Sequence, residues 1–173
     1  MATKNKGATH ITERERKFLV DERPKKLSRY PHLLIEQGYL AIERDDHVAT
    51  EVRIRRSGDR TVLTVKQGSG EERLEREVPL PRRAARALWP LTKGRRIQKI
   101  RYRIPWRAST IELDIYRGKL KGLVVAEVEF PSLAAMRRFE PPPWFGREVT
   151  GRDELANSRL AVSGWKRNQR SKR

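Results

Sequence analysis

The sequence has no cysteine among its 173 residues. Disulfides, thiolate metal sites and a cysteine nucleophile are therefore excluded. Only three histidines occur, His10, His32 and His47, and their scatter gives no zinc-type spacing. No apolar run approaches the roughly 18 residues that span a bilayer. The opening MATKNKGATH lacks the apolar stretch of a signal peptide. The expectation is a cytoplasmic protein with no membrane partner. Acidic residues are scarce, 22 against 40 Lys and Arg, so the net charge is +18. Such a charge attracts polyanions: nucleic acid, an anionic membrane or a phosphate-rich small molecule.

What is present is regular. Turn-forming clusters recur at RDDH (44–47), SGDR (57–60), QGSGEE (67–72), RAS (107–109) and YRGKLKG (116–122). Between them, runs of Val, Ile, Leu, Thr and Tyr alternate with period two. Eight strands are predicted near 11–20, 36–42, 48–56, 60–66, 73–78, 96–104, 109–116 and 123–130. Helices are predicted at PRRAARALW (81–89), with Pro in its first turn, at SLAAMRRF (132–139), with a Ser N-cap, and over DELANSRLA (153–161). The ends, 1–10 and 164–173, are basic and predicted to be disordered, around one domain over 11–163. The last ten residues, GWKRNQRSKR, hold five cations and no acid, and could contact nucleic acid nonspecifically.

In seven of the predicted strands one face is charged, and the charge is sorted by strand. Arg53 and Arg55, Lys66, and Lys99, Arg101 and Arg103 are purely basic sets. Glu75 and Glu77, Glu112 and Asp114, and Glu127 and Glu129 are purely acidic ones. Only ITERERKFLV (11–20) mixes signs, with Glu13, Glu15 and Lys17 on one face and Arg14, Arg16 and Phe18 on the other. The charged face is nearly neutral although the chain is strongly basic, which argues against a nucleic-acid groove. A single wet face of an antiparallel sheet would explain any one strand, but not sorting across seven. The economical arrangement is a β-rich α+β fold. Its centre is a closed eight-stranded antiparallel β-barrel, a tunnel with a polar interior, flanked by a few short helices. Unpaired buried charges cost several kcal/mol each, so the interior must be wet, mutually paired or filled by ions. Cations that grip a polyanion, beside carboxylates that grip a divalent metal, account for both signs.

These blocks resemble the CYTH superfamily, the triphosphate tunnel metalloenzymes. ERERKFLV carries an ExExK signature. It is followed in order by QGYL (37–40), VRIRRSGDRTVLTVK (52–66), EREV (75–78), KIRYRI (99–104), ELDIYRG (112–118), GLVVAEVE (122–129) and PPWFGREVTG (142–151). The pattern is most similar to bacterial inorganic triphosphatases. The resemblance implies metal-dependent hydrolysis of a triphosphate, foremost inorganic tripolyphosphate, with Mg²⁺ or Mn²⁺. By position it implies that Lys17, Arg53, Arg55, Lys66, Lys99, Arg101 and Arg103 bind substrate. Glu13, Glu15, Glu127 and Glu129 would hold metal. Glu75, Glu77, Glu112 and Asp114 would either hold a second metal or orient the cations. Lys17 and Tyr39 are the candidate catalytic pair. A class IV-type adenylate cyclase and a thiamine triphosphatase are the alternative enzymes. Trp106 and Trp144 are the candidates for stacking on a ring, although Trp144 in PPWFG reads better as packing. A non-catalytic polyphosphate- or RNA-binding protein is the alternative of another class. Oligomeric state is not legible in the sequence.

Overall fold

The computed structural model describes residues 10–12, 14–44, 49–69 and 72–165. Glu13, most of the basic N-terminal extension and the tail beyond residue 165 lie outside the described residues. Nine strands form one sheet. They are β1 (His10–Thr12), β2 (Glu15–Leu19), β3 (His32–Arg44), β4 (Ala49–Ser57), β5 (Arg60–Ser69), β6 (Glu72–Pro79), β7 (Arg96–Trp106), β8 (Ser109–Tyr116) and β9 (Val124–Glu129). The order across the sheet is β1-β6-β5-β4-β3-β7-β8-β9-β2, and every pairing is antiparallel.

The predicted first strand is thus two strands, and they form opposite edges of the sheet. β1 pairs with β6, whereas β2 pairs with β9. The β-rich antiparallel sheet is as expected; among the described residues its end strands β1 and β2 pair with β6 and β9 and not with each other, so the predicted closed eight-stranded barrel is not formed by these pairings. The second side of β2 carries the segment after PPWFG. Gly146 donates its amide to Leu19 O, Leu19 donates to Arg147 O, and Val149 donates to Lys17 O. The Lys17 amide donates to Thr150 Oγ1, 3.0 Å away. That segment satisfies an edge that would otherwise expose backbone donors and acceptors.

The period-two pattern divides apolar from charged side chains. On one face of β7, β8 and β9, Ile104, Ile111, Leu113, Ala126 and Val128 are buried. They pack with Phe130, Met136, Phe139 and Phe145. These come from the end of β9, from helix α2 (Leu133–Arg138), capped by the Ser132 hydroxyl, and from the loop after it. Across β3, Gly38 leaves room for Thr92, because a Cβ there would lie 2.5 Å from Thr92 Oγ1. This close approach seats the short segment of helix α1 (Arg82–Leu88) and its following 3-10 turn on the sheet. The third predicted helix splits into a 3-10 turn, Asp153–Leu155, and helix α3, Asn157–Ser163, because Ala156 between them is extended. Leu155, Leu160 and Ala161 pack on Tyr39, Ile97, Tyr116 and Val125. The apolar cluster they form lies beside the charged face. No helix of the described residues is long and apolar enough to cross a membrane.

Candidate active site

The charged face of the sheet lines a cavity of about 680 Å³. Each neighbouring pair of strands contributes by register. Arg53 on β4 stands between Tyr39 on β3 and Thr64 on β5. Lys66 on β5 is opposite Glu75 on β6. Arg101 on β7 is opposite Asp114 on β8, and Glu112 is opposite Glu127 on β9. Glu127 and Glu129 in turn face Lys17 and Glu15 on β2. Basic and acidic strands therefore adjoin at β5–β6 and β7–β8, which is the structural meaning of charge sorted by strand.

The cations are held by carboxylates. Lys17 Nζ lies 2.8 Å from Glu127 Oε1, and Lys66 Nζ lies 2.9 Å from Glu75 Oε2. Arg55 donates to Glu77 at 2.9 Å, while Arg53 and Glu75 are 3.8 Å apart. Arg101 is the most engaged: it donates to Asp114 through Nε and Nη2, to Glu127 Oε2 at 2.8 Å, and to Glu112. Lys99 donates to Asp114. Arg101 thus joins β7, β8 and β9 through one planar fork, the geometry that suits paired oxygens.

The fields follow from these contacts. Burial works against charge on Arg101, but the carboxylates of Asp114, Glu127 and Glu112 outweigh it and hold the guanidinium pKa well above its usual value. Burial also opposes charge on Lys17, and Glu127 and Glu15 overcome it, so its pKa is raised. Lys99 goes the other way: burial and the neighbouring Arg101 lower it against the pull of Asp114. Burial would raise Glu127, but Lys17, Lys99 and Arg101 together hold it below the carboxylate range. Tyr39 is raised, chiefly by burial. Its hydroxyl accepts from Gln37 Nε2 and also engages Arg53.

The predicted residues separate into three groups. Lys17, Tyr39, Arg53, Arg55, Lys66, Lys99, Arg101, Glu15, Glu75, Glu77, Glu127 and Glu129 all line the cavity. Glu112 and Asp114 do not; both accept from Arg101, and Asp114 is fully buried. Arg103 shares their strand face but is exposed and outside the cavity, because β7 runs past it. Lys17 and Tyr39 share the cavity yet have different hydrogen-bonding partners, Glu127 for one and Gln37 for the other.

No family model matches the chain. An inorganic triphosphatase of Nitrosomonas europaea is 40% identical over 156 residues, covering 88% of this chain and 99% of that protein. The chain belongs to the inorganic triphosphatase family. A second relative, the inorganic triphosphatase of Acetivibrio thermocellus, is 38% identical over 157 residues, covering 89% of this chain and 96% of its own. The crystal structure of the inorganic triphosphatase NE1496 superposes with a TM-score of 0.67 at 38% identity. It covers 90% of this chain and 97% of that one.

For a member of this triphosphatase family, the donor set is of the kind a divalent cation takes. Glu15 and Glu129 are register partners on the cavity side, and both offer hard carboxylate oxygens. Glu127 stands one position pair away and is held by Lys17 and Arg101. Among the described residues no three acidic side chains are grouped tightly enough to hold an ion. Glu13, the remaining member of the expected set, lies outside the described residues.

The triphosphatase cavity also has walls that the strand pattern did not disclose. Arg14 was expected to point outward with Arg16, yet it lines the cavity, whereas Arg16 pairs outside with Glu148. The reason is the break between β1 and β2 at this point, which interrupts the alternation. Glu51 completes the wall beside Tyr39 and Gln37, which share one face of β3. Gly151, Arg152, Asp153, Asn157 and Ser158 complete it from the segment that follows the β2 edge. Ser158 Oγ donates to Glu51 Oε1 at 2.6 Å, and the Tyr116 hydroxyl donates to Asn157 Oδ1, so α3 is pinned to β4 and β8.

Proposed function

We propose that this chain hydrolyses inorganic tripolyphosphate to orthophosphate and pyrophosphate in the charged cavity, with Mg²⁺ or Mn²⁺. The observation that carries the reading is the convergence of Lys17, Arg53, Arg55, Lys66 and Arg101 on one cavity of about 680 Å³. They do so in a chain 40% identical, almost end to end, to a curated inorganic triphosphatase. The two sheet edges support a further step, that the sheet functions as a closed tunnel. β1 and β2 belong to one stretch of chain, so the edges at β6 and β9 are tied together through residues 13 and 14.

In this reading the carboxylates hold each cation in place until substrate phosphate oxygens replace them. Arg53, only loosely paired with Glu75 at 3.8 Å, exchanges most readily. Glu13, Glu15, Glu127 and Glu129 would hold the divalent cation, which supplies neutralisation of non-bridging phosphate oxygens. Lys17, kept protonated by Glu127 and Glu15, binds the anion as a point charge and orients the attacking water. Tyr39, through Gln37 and Arg53, fixes the Arg53 guanidinium. Water oxygen bonds to the terminal phosphorus as the bridging bond breaks. Pyrophosphate leaves with the electron pair of that bond, and one proton is lost. Positioning and charge neutralisation supply most of the rate in such transfers. Asp114, buried beneath the cavity, orients Arg101 and Lys99, and Glu112 holds Arg101 from outside the cavity lining.

The experiment is a substrate panel. Tripolyphosphate, ATP and thiamine triphosphate are each incubated with Mg²⁺ or Mn²⁺. Released orthophosphate and cyclic AMP are measured. The proposal expects orthophosphate, fastest from tripolyphosphate; cyclic AMP formation, or no turnover of any of the three, would overturn it.

A further inference from the structure

The cavity cations that the strand pattern points to are already occupied. Lys17, Arg53, Arg55, Lys66, Lys99 and Arg101 each meet at least one carboxylate. A polyphosphate that binds them must displace those acids, and part of the attraction is spent in the exchange. Two further cations line the same cavity without a carboxylate partner. Arg14 and Arg152 form no ion pair or side-chain hydrogen bond with any described residue. Arg14 is half-buried, and its Nε, like that of Arg53, is buried with no hydrogen-bonding partner among the described residues. A buried guanidinium nitrogen without a partner is costly, and an arriving oxyanion removes that cost.

The fold brings these two arginines to neighbouring segments. Arg14 enters β2, and Arg152 ends the turn of the segment that runs antiparallel to β2, with Phe18 bridged to Glu148. Both lie at the ends of paired stretches: the Arg14 carbonyl accepts from the Phe130 amide at 2.8 Å, just before the β2–β9 ladder begins. Arg14 follows the break after β1, and Arg152 closes a turn onto Val149 O at 3.1 Å.

We propose that Arg14 and Arg152 form the capture subsite for the polyphosphate anion, the pair of cations that engages substrate without displacing a carboxylate. This rests on the tripolyphosphate reading of the cavity. The two arginines set affinity: they add attraction that the free protein has not already used internally. Arg53, Arg55, Lys66 and Arg101 act afterwards, once the anion has exchanged with the cavity-lining carboxylates Glu75, Glu77 and Glu127. Their removal falls on turnover, whereas loss of Arg14 or Arg152 falls on KM.

The test separates binding from hydrolysis. Tripolyphosphate binding is measured by calorimetry in excess chelator for the wild type, Arg14→Gln, Arg152→Gln, the double variant and Arg60→Gln. Arg60 is an exposed arginine outside the cavity and controls for net charge. Each cavity variant should lose roughly three- to tenfold in affinity and the double variant on the order of thirtyfold, the scale of charge-assisted hydrogen bonds on a partly exposed site. With metal restored, KM should rise by similar factors while kcat stays within about threefold. Arg14→Lys should recover part of the affinity. Melting temperatures should not fall, since no ion pair is removed. A double variant that binds as tightly as the wild type, or that loses no more than Arg60→Gln, overturns the capture subsite. So does a kcat that falls as far as kcat/KM with KM unchanged. If the wild type binds tripolyphosphate in chelator but releases no phosphate with either metal, the hydrolytic reading fails and the binding assignment is judged on its own data.

Discussion

Asp114→Asn changes one charge and almost no volume, at the point where the site depends most on pairing. Asp114 is 0% exposed and Lys99 is 2% exposed. The carboxylate receives Lys99 Nζ and two donors of Arg101. Removing one partner of a buried pair costs about 3–5 kcal/mol, because the remaining charge is left uncompensated. Two features place the cost at the lower end of that range. Burial and Arg101 already lower the Lys99 pKa, so the orphaned lysine can shed its proton. Arg101 also keeps Glu112 and Glu127 as partners. The expected loss is about 3 kcal/mol, read as a shift of the urea midpoint at unchanged m-value. Adding Lys99→Met removes the orphaned charge and fills similar space, and should restore more than half of it. Turnover should remain low in both variants, because the Arg101 fork has lost its anchor. An Asp114→Asn protein within about 1 kcal/mol of the wild type would refute the reasoning. A double variant no more stable than the single one would refute it equally.

Lys17→Arg keeps the charge but cannot serve as a base; with the Lys17 pKa raised by Glu127 and Glu15, it should keep activity within about tenfold and the same pH–rate shape. Loss of an alkaline limb in that variant would return the lysine to a general-base role. Glu148 has a lowered pKa because Arg16 donates to it, so its stabilisation is present above the unfolded carboxylate value of about 4.3 and is lost as pH falls through the lower folded value. With the carboxylate 40% exposed, the wild type should exceed Glu148→Gln by less than about 1 kcal/mol at neutral pH, with the gap closing in acid; a gap that widens in acid contradicts the assignment. Gly38→Ala puts a Cβ 2.5 Å from Thr92 Oγ1 and should cost roughly 1–3 kcal/mol in thermal or urea unfolding, whereas an unchanged midpoint would mean that the 3-10 turn shifts freely on β3.

Strand parity made most of the cavity legible in advance, because one face of each strand had to be charged and the other apolar. It states which face a residue occupies but not how far along the strand the cavity extends. Arg103 illustrates this: its face was correctly read, yet β7 carries it beyond the cavity into solvent. Asp114 and Glu112 have the right parity too, but they are taken up as partners of Arg101 and do not line the cavity, a pairing that no alternation encodes. The continuous alternation of ERERK hid the break between β1 and β2, since only the demands of β6 and β9 for partners divide that stretch. The same break turned Arg14 inward. Segment 146–158 was invisible as a wall because it has no sustained period: backbone bonds to β2 and the Ser158–Glu51 contact hold it there.

Metal-dependent cleavage of tripolyphosphate is the central claim, and phosphate release by the wild type and Glu129→Gln tests it most directly. Both proteins are assayed with tripolyphosphate across a Mg²⁺ or Mn²⁺ titration and in excess chelator. Glu129 lines the cavity opposite Glu15 and offers a carboxylate oxygen to the ion. The account predicts one orthophosphate and one pyrophosphate per substrate in the wild type, and none in chelator. For Glu129→Gln it predicts a metal requirement at least about tenfold higher, the scale on which loss of a metal-orienting group weakens a site. Undiminished phosphate release in chelator, or a Glu129→Gln protein with the wild-type metal dependence, would contradict it.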